Sequence, residues 1–132
     1  MRISLIAKLF LVTLVFGNFS IAGEGATIYY VPIGVETYAP ITSETIRSAA
    51  QEKWVITEPS RIQQLLSILR GGTPHPFDDA DVRAVIYYGD DTFFLNRAGE
   101  VKSHLGSKLI NVSGFSKFYS TLRSEEKRRV NE

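Results

Sequence analysis

The chain has 132 residues, 44% of them hydrophobic and 22% charged, a formal charge of +1 and no cysteine. Those values fit one globular domain with a core of its own, and they exclude disulfide staples and thiolate chemistry. They also argue against nucleic acid as a partner: phosphate recognition needs a concentrated basic surface, and the only basic cluster, Lys127-Arg128-Arg129, sits at the C-terminus beside Glu125 and Glu126.

Residues 1–22 read as a secretory signal peptide. Arg2 and Lys8 give a basic start, Leu9 to Phe16 an apolar run, and Ser20 and Ala22 the small residues that precede a cleavage site at Gly23. A membrane span needs about 18 or more apolar residues; the run from Ile3 to Phe16 is shorter and contains Lys8. Residues 23–132 are therefore expected to form a single exported domain, without a stable membrane anchor once the signal is removed. A cysteine-free exported domain suits a bacterial periplasm or extracellular space better than a disulfide-rich secretory pathway.

In chain order, Ala26 to Ile33 reads as a first strand, with Pro32 either on a sheet edge or ending the pairing. Gly34 to Pro40 continues as an extended arm whose Tyr38 packs on the core. Ser43 is the expected N-cap of a short helix from Glu44 to Ala50. Lys53 to Thr57 reads as a strand; its Trp54 is the sole tryptophan, and core packing is the simpler role for it than ligand stacking. The clearest helix runs from Glu58 to Arg70. Pro59 suits its first turn, Gly71-Gly72 a left-handed stop, and Ile62, Leu65, Leu66 and Leu69 line one face.

Thr73 to Asp81 is a loop by composition. It leads into a β-hairpin from Val82 to Asn96, in which Gly89-Asp90-Asp91 marks the reversal. With Asp90-Asp91 at the tip, or Gly89 to Thr92 as a four-residue loop, Tyr88 faces Phe93, Tyr87 faces Phe94 and Ile86 faces Leu95. Val82, Ala84, Ile86, Tyr88, Phe93 and Leu95 then share an apolar face, while Arg83, Val85, Tyr87, Phe94 and Asn96 share a mixed one. Arg97 to Glu100 turns the chain again, and strands follow at Val101 to Leu105 and Lys108 to Val112. Ser113 caps a last helix that aligns Phe115, Phe118, Tyr119 and Leu122.

This order predicts an α+β domain: a mostly antiparallel β-sheet with a central hairpin and two amphipathic helices packed on it. If both helices cover the apolar face, the mixed face is open to solvent. The alternative is that the helices lie on opposite faces, or that the arm from Gly34 to Pro40 covers the second one.

No catalytic motif stands out. None of the serines occupies a nucleophile elbow, Asp90 and Asp91 sit on a solvated tip, and no glycine-rich phosphate loop or other feature indicates a cofactor. His75 with Asp78, Asp79 and Asp81 is the best constellation for a metal or a hydrolytic site, although its spacing matches no defined metal motif. The expectation is instead a small binding or inhibitor protein. In size, leader and composition the chain resembles small periplasmic immunity proteins, a resemblance that rests on no shared motif and carries no residues over. It implies a protein partner, an enzyme or toxin whose active site is occluded. Two surfaces are candidates for that contact: the stiff loop with His75, Phe77, Asp78 and Asp79, and the mixed sheet face with Arg83, Tyr87 and Phe94. The other readings are a hydrolase or metal-binding protein centred on His75, and an envelope component that associates through an edge strand at Ala26 to Val31.

Overall fold

The computed structural model describes residues 25–131, with side chains through Glu125. The expected signal peptide, residues 1–22, and the side chains of Lys127-Arg128-Arg129 lie outside the described residues. In chain order the elements are β1 (Ala26–Tyr30), α1 (Ile46–Ala49), β2 (Glu52–Ile56), α2 (Pro59–Arg70), β3 (Thr73–Pro74), β4 (Val82–Tyr88), β5 (Asp91–Asn96), β6 (Glu100–Ser103), β7 (Gly106–Leu109) and α3 (Val112–Asn131). The strands form one seven-stranded sheet in the order β2-β1-β4-β5-β6-β7-β3, and every pairing is antiparallel. The expected α+β architecture is therefore present, and the hairpin β4-β5 lies at the centre of the sheet. No helix among the described residues is long and apolar enough to cross a membrane.

Period-two alternation sends Ala26, Ile28 and Tyr30 of β1, Ala84 and Ile86 of β4, and Phe93 and Leu95 of β5 to one face. Both long helices cover it. The helix α2 contributes Ile62, Leu65 and Leu69, and α3 contributes Phe115, Phe118, Tyr119 and Leu122. Full burial of each such side chain contributes roughly 1.5–3 kcal/mol, so this layer is the main source of stability. Trp54 closes its β2 end: Nε1 donates to Tyr119 Oη at 2.6 Å, and Tyr119 Oη donates to Glu52 Oε2 at 2.6 Å. Packing, not ligand stacking, holds the tryptophan.

Several local expectations are corrected. The hairpin turns on Gly89-Asp90, so Tyr88 pairs with Asp91, Tyr87 with Thr92, Ile86 with Phe93 and Val85 with Phe94. This is a slip of two residues from the expected register, and such a slip leaves each side chain on its face. The cause is Gly89 at φ 56°: in a two-residue hairpin loop the first position favours glycine with positive φ. A bulge between Val82 and Ala84 makes Arg83 the unmatched residue and moves Val82 into the second-face cluster. Gly71 is not left-handed (φ −85°); a Cβ there would lie 2.7 Å from Ser67 O, and one at Gly72 would lie 2.2 Å from Leu109 O.

The short helix α1 begins after Thr45 and makes no side-chain cap hydrogen bond, so Ser43 is not its cap. Asn111, not Ser113, serves the start of α3, its Oδ1 accepting from Gly114 N at 3.3 Å. The strand expected at Lys108 to Val112 is β7, two residues earlier, and Thr73-Pro74 of the expected loop pairs with it. Tyr38 is fully exposed rather than packed. Finally, β1 lies between β2 and β4, so Ala26 to Val31 is not an edge. Pro32 ends the pairing instead, just after Val31 N donates to Arg83 O at 2.8 Å.

Candidate functional site

The second sheet face is neither open nor fully covered. At the end nearer β1's C-terminus, the chain from Val31 through Ile46 folds back over it. Val31, Ile41 and Ile46 are buried there with Val82 and Val85, and Val35, Phe77, Tyr87 and Phe94 pack against them. This second, smaller core explains why the supposedly mixed face carries so many apolar residues.

The loop before β4 is a strap tied down along its length. Its start is held by His75 N, which donates to Ser107 O at 3.1 Å. Glu100 is the centre of the next anchor. Its Oε1 accepts from Asp78 N at 2.8 Å and Asn96 Nδ2 at 2.7 Å, and its Oε2 lies 3.0 Å from His75 Nδ1. That nitrogen is also 2.8 Å from Pro76 O; both neighbours accept, so Nδ1 carries the proton and Nε2 is the unprotonated ring nitrogen in the neutral form. The donors from Asp78 and Asn96 stabilise the charged carboxylate, and together with His75 they outweigh desolvation and lower the Glu100 pKa. Asn96 completes the ring by donating to Asp78 O at 3.0 Å and accepting from Glu100 N at 2.9 Å.

Farther along, the carboxylate of Asp79 accepts from Ser43 N at 2.7 Å and Ser43 Oγ at 2.8 Å, which joins strap to arm. Arg83, 2% exposed, is the clamp beneath both. Its Nε and Nη2 donate to Asp81 Oδ1 at 2.9 and 2.8 Å, and its Nη1 donates to Pro32 O at 3.1 Å and Val35 O at 2.6 Å. Arg97 holds the other oxygen of Asp81 at 3.0 Å and reaches Ile33 O. Asp81 itself sits at φ 54°, a conformation aspartate tolerates better than most residues.

Beside this cover, and partly beneath it, the same face is aromatic and basic. Register places Lys53, Tyr29, Val85, Phe94, Lys102 and Ser107 in one cross-strand row from β2 to β7, and Val55, Thr27, Tyr87 and Thr92 in the next. These two rows hold two lysines and no carboxylate. Tyr29 and Tyr87 meet edge to face at 6.0 Å, and the Arg47 guanidinium of α1 lies 5.3 and 5.9 Å from their ring centres. Lys53 stands 5.6 Å over Tyr29, and Lys102 6.0 Å over Phe77. Tyr29, Tyr87 and Phe94 are partly buried, Val55 is exposed, and the sheet beneath fixes their spacing.

The residues singled out in the sequence thus fall into two sets. Tyr87, Phe94 and Phe77 come together on the half-open face. The side chains of Arg83 and Asp79 and the backbone of Asp78 hold the strap, while His75 lies at its entrance, partly exposed. Sequence reasoning missed Tyr29, Arg47, Lys53 and Lys102. Tyr29 and Lys53 alternate outward on strands already recognised, so the period-two rule alone could have added them. The constellation that the alternative metal or hydrolytic reading rests on is dispersed: Asp79 turns to Ser43, Asp81 to the two arginines, and His75 to Glu100. Among the described residues no three His, Asp or Glu side chains are grouped to hold a metal ion. A shallow cleft of about 410 Å³ lies between arm and strap, bordered by Tyr38, Asp81 and Arg97. Comparison with family models, with curated proteins and with solved structures finds no match for this chain.

Proposed function

We propose that this protein is an exported binding protein of the periplasm or extracellular space that neutralises an enzyme or toxin, its half-open aromatic and basic sheet face docking over the target's active site. The observation that carries this reading is the pair of cross-strand rows centred on Tyr29, Tyr87 and Phe94 and flanked by Arg47, Lys53 and Lys102. Tyrosine and arginine are the residue types enriched at interface hot spots. Side chains held on a hydrogen-bonded sheet lose little freedom on binding, which favours affinity. The strap contributes in the same way, because its anchors fix Phe77 and His75 before any partner arrives.

Arg47, Lys53 and Lys102, in no ion pair among the described residues, suit an acidic target surface. Opposite charge across an interface acts mainly on the rate of encounter. The test begins with a tagged protein, recovery of its partner from the envelope fraction of its own cells, and association kinetics of the purified pair. Arg47→Glu combined with Lys102→Glu is expected to slow association by about tenfold or more at low salt and to leave a smaller difference at high salt. Equal association rates for the two proteins would rule out this face as the docking surface.

A further inference from the structure

The sheet ends at β2, and no strand among the described residues pairs with its outer edge. Exposed edges offer unpaired amides and carbonyls to any extended chain. Here the edge is also two-faced in a way that specifies what would fit. Toward the helices, Trp54, Ile56 and Leu122 border a groove of about 90 Å³, whose rim carries the Arg61–Glu125 ion pair. That space admits one aliphatic side chain. Toward the other face, β2 presents Lys53 and Val55, with Arg47 close enough to share the Tyr29 ring with Lys53.

We propose that β2 is a strand-addition site for an extended segment of a partner protein in which aliphatic and acidic residues alternate. Backbone pairing to β2 supplies affinity, and alternate side chains supply selectivity. The aliphatic residue enters the groove beside Trp54, and the acidic one meets Lys53 and Arg47. A second copy of this chain fits less well, because antiparallel self-pairing brings two Lys53 and two Arg47 side chains to one face. The site shares Lys53, Val55 and Arg47 with the docking face proposed above. Backbone pairing to β2, however, is tested by N-methylation of the peptide and the face by substitution of Tyr87 and Phe94, so the two readings can fail separately.

Trp54, the sole tryptophan, reports on the groove directly. The protein from the full-length gene is titrated with an acetylated, amidated heptapeptide alternating Val and Glu, with its Val and Lys counterpart, and with two N-methylated forms of the first. One form carries methyl groups on the Val amides and the other on the Glu amides. In a strand these two sets of amides point to opposite edges. Strand addition therefore predicts a saturable change in Trp54 emission with the Val and Glu peptide. It also predicts that one N-methylated form binds at least about tenfold more weakly while the other is little affected. Lys53→Glu, at an exposed position, reverses the preference between the acidic and basic peptides. No saturable change, equal behaviour of the two methylated forms, or an unchanged preference in Lys53→Glu overturns the proposal. Sedimentation of the protein alone as a dimer whose formation suppresses peptide binding replaces the partner segment with a second copy.

Discussion

Arg83→Met is the substitution that most directly probes how the strap and arm are held. The sulfur-bearing chain keeps most of the aliphatic stem and removes every donor. Asp81 Oδ1 then loses its two contacts, and Val35 O and Pro32 O each lose one. Breaking a buried ion pair by removing one partner costs about 3–5 kcal/mol. The lower end applies here: Pro32 O still accepts from Val35 N, Asp81 keeps Arg97, and the Asp81 side chain is 39% exposed, so water can reach part of what is lost. We expect a loss of about 3 kcal/mol, a large share of the roughly 5–15 kcal/mol typical of a domain. With a urea m-value of about 1.5 kcal/mol/M, the unfolding midpoint falls by about 2 M. Hydrogen exchange should show the arm and strap opening first, ahead of the core under α2 and α3. A midpoint shift corresponding to less than about 0.5 kcal/mol, typical of an ordinary surface change, would refute the clamp.

Other consequences follow from the same geometry. Because the Glu100 pKa is lowered in the fold, its stabilisation is complete above the unfolded carboxylate range near pH 4.3 and is lost as pH falls through the lower folded value. Glu100→Gln should therefore flatten the acid limb of a stability-versus-pH curve measured by urea midpoints. Tyr119→Phe leaves Trp54 Nε1 and Glu52 without their shared partner; about 1–3 kcal/mol of stability should be lost, with a change in tryptophan emission that marks the site. Gly72→Ala forces a methyl against Leu109 O, so β3 and β7 must separate, at a cost of about 1–3 kcal/mol visible in thermal unfolding.

Much of this architecture is legible in the residues. The stripes Ile62, Leu65, Leu69 and Phe115, Phe118, Tyr119, Leu122 mark both helices and their buried sides, and alternation in Ala84, Ile86, Phe93 and Leu95 marks the face they cover. The hairpin register is harder to read, because Gly89-Asp90-Asp91 permits more than one loop and the positive φ of Gly89 selects the Gly89-Asp90 one. Long-range cover is harder still. Nothing near Val31, Ile41 or Ile46 states which face they will close, since that depends on Arg83 reaching backbone carbonyls some fifty residues away in sequence. The bulge that presents Arg83 is likewise a product of pairing between β4 and β5 rather than of local preference. The same ambiguity affects the candidate site. Arg83 and Asp79 have the composition of an interface, but folding directs their side chains into anchors and uses Asp78 through its backbone, while Lys53 and Lys102, unremarkable in sequence, come to flank the aromatic rows.

Engagement of a protein target by the Tyr29, Tyr87 and Phe94 face is decided by the affinity of the recovered partner for Tyr87→Ser combined with Phe94→Ser, in protein whose circular dichroism and unfolding midpoint establish that it is folded. Loss of two central aromatic anchors predicts weaker binding by at least about 2 kcal/mol, some thirtyfold in Kd, carried mainly by faster dissociation. An unchanged Kd in the folded double variant would contradict the account.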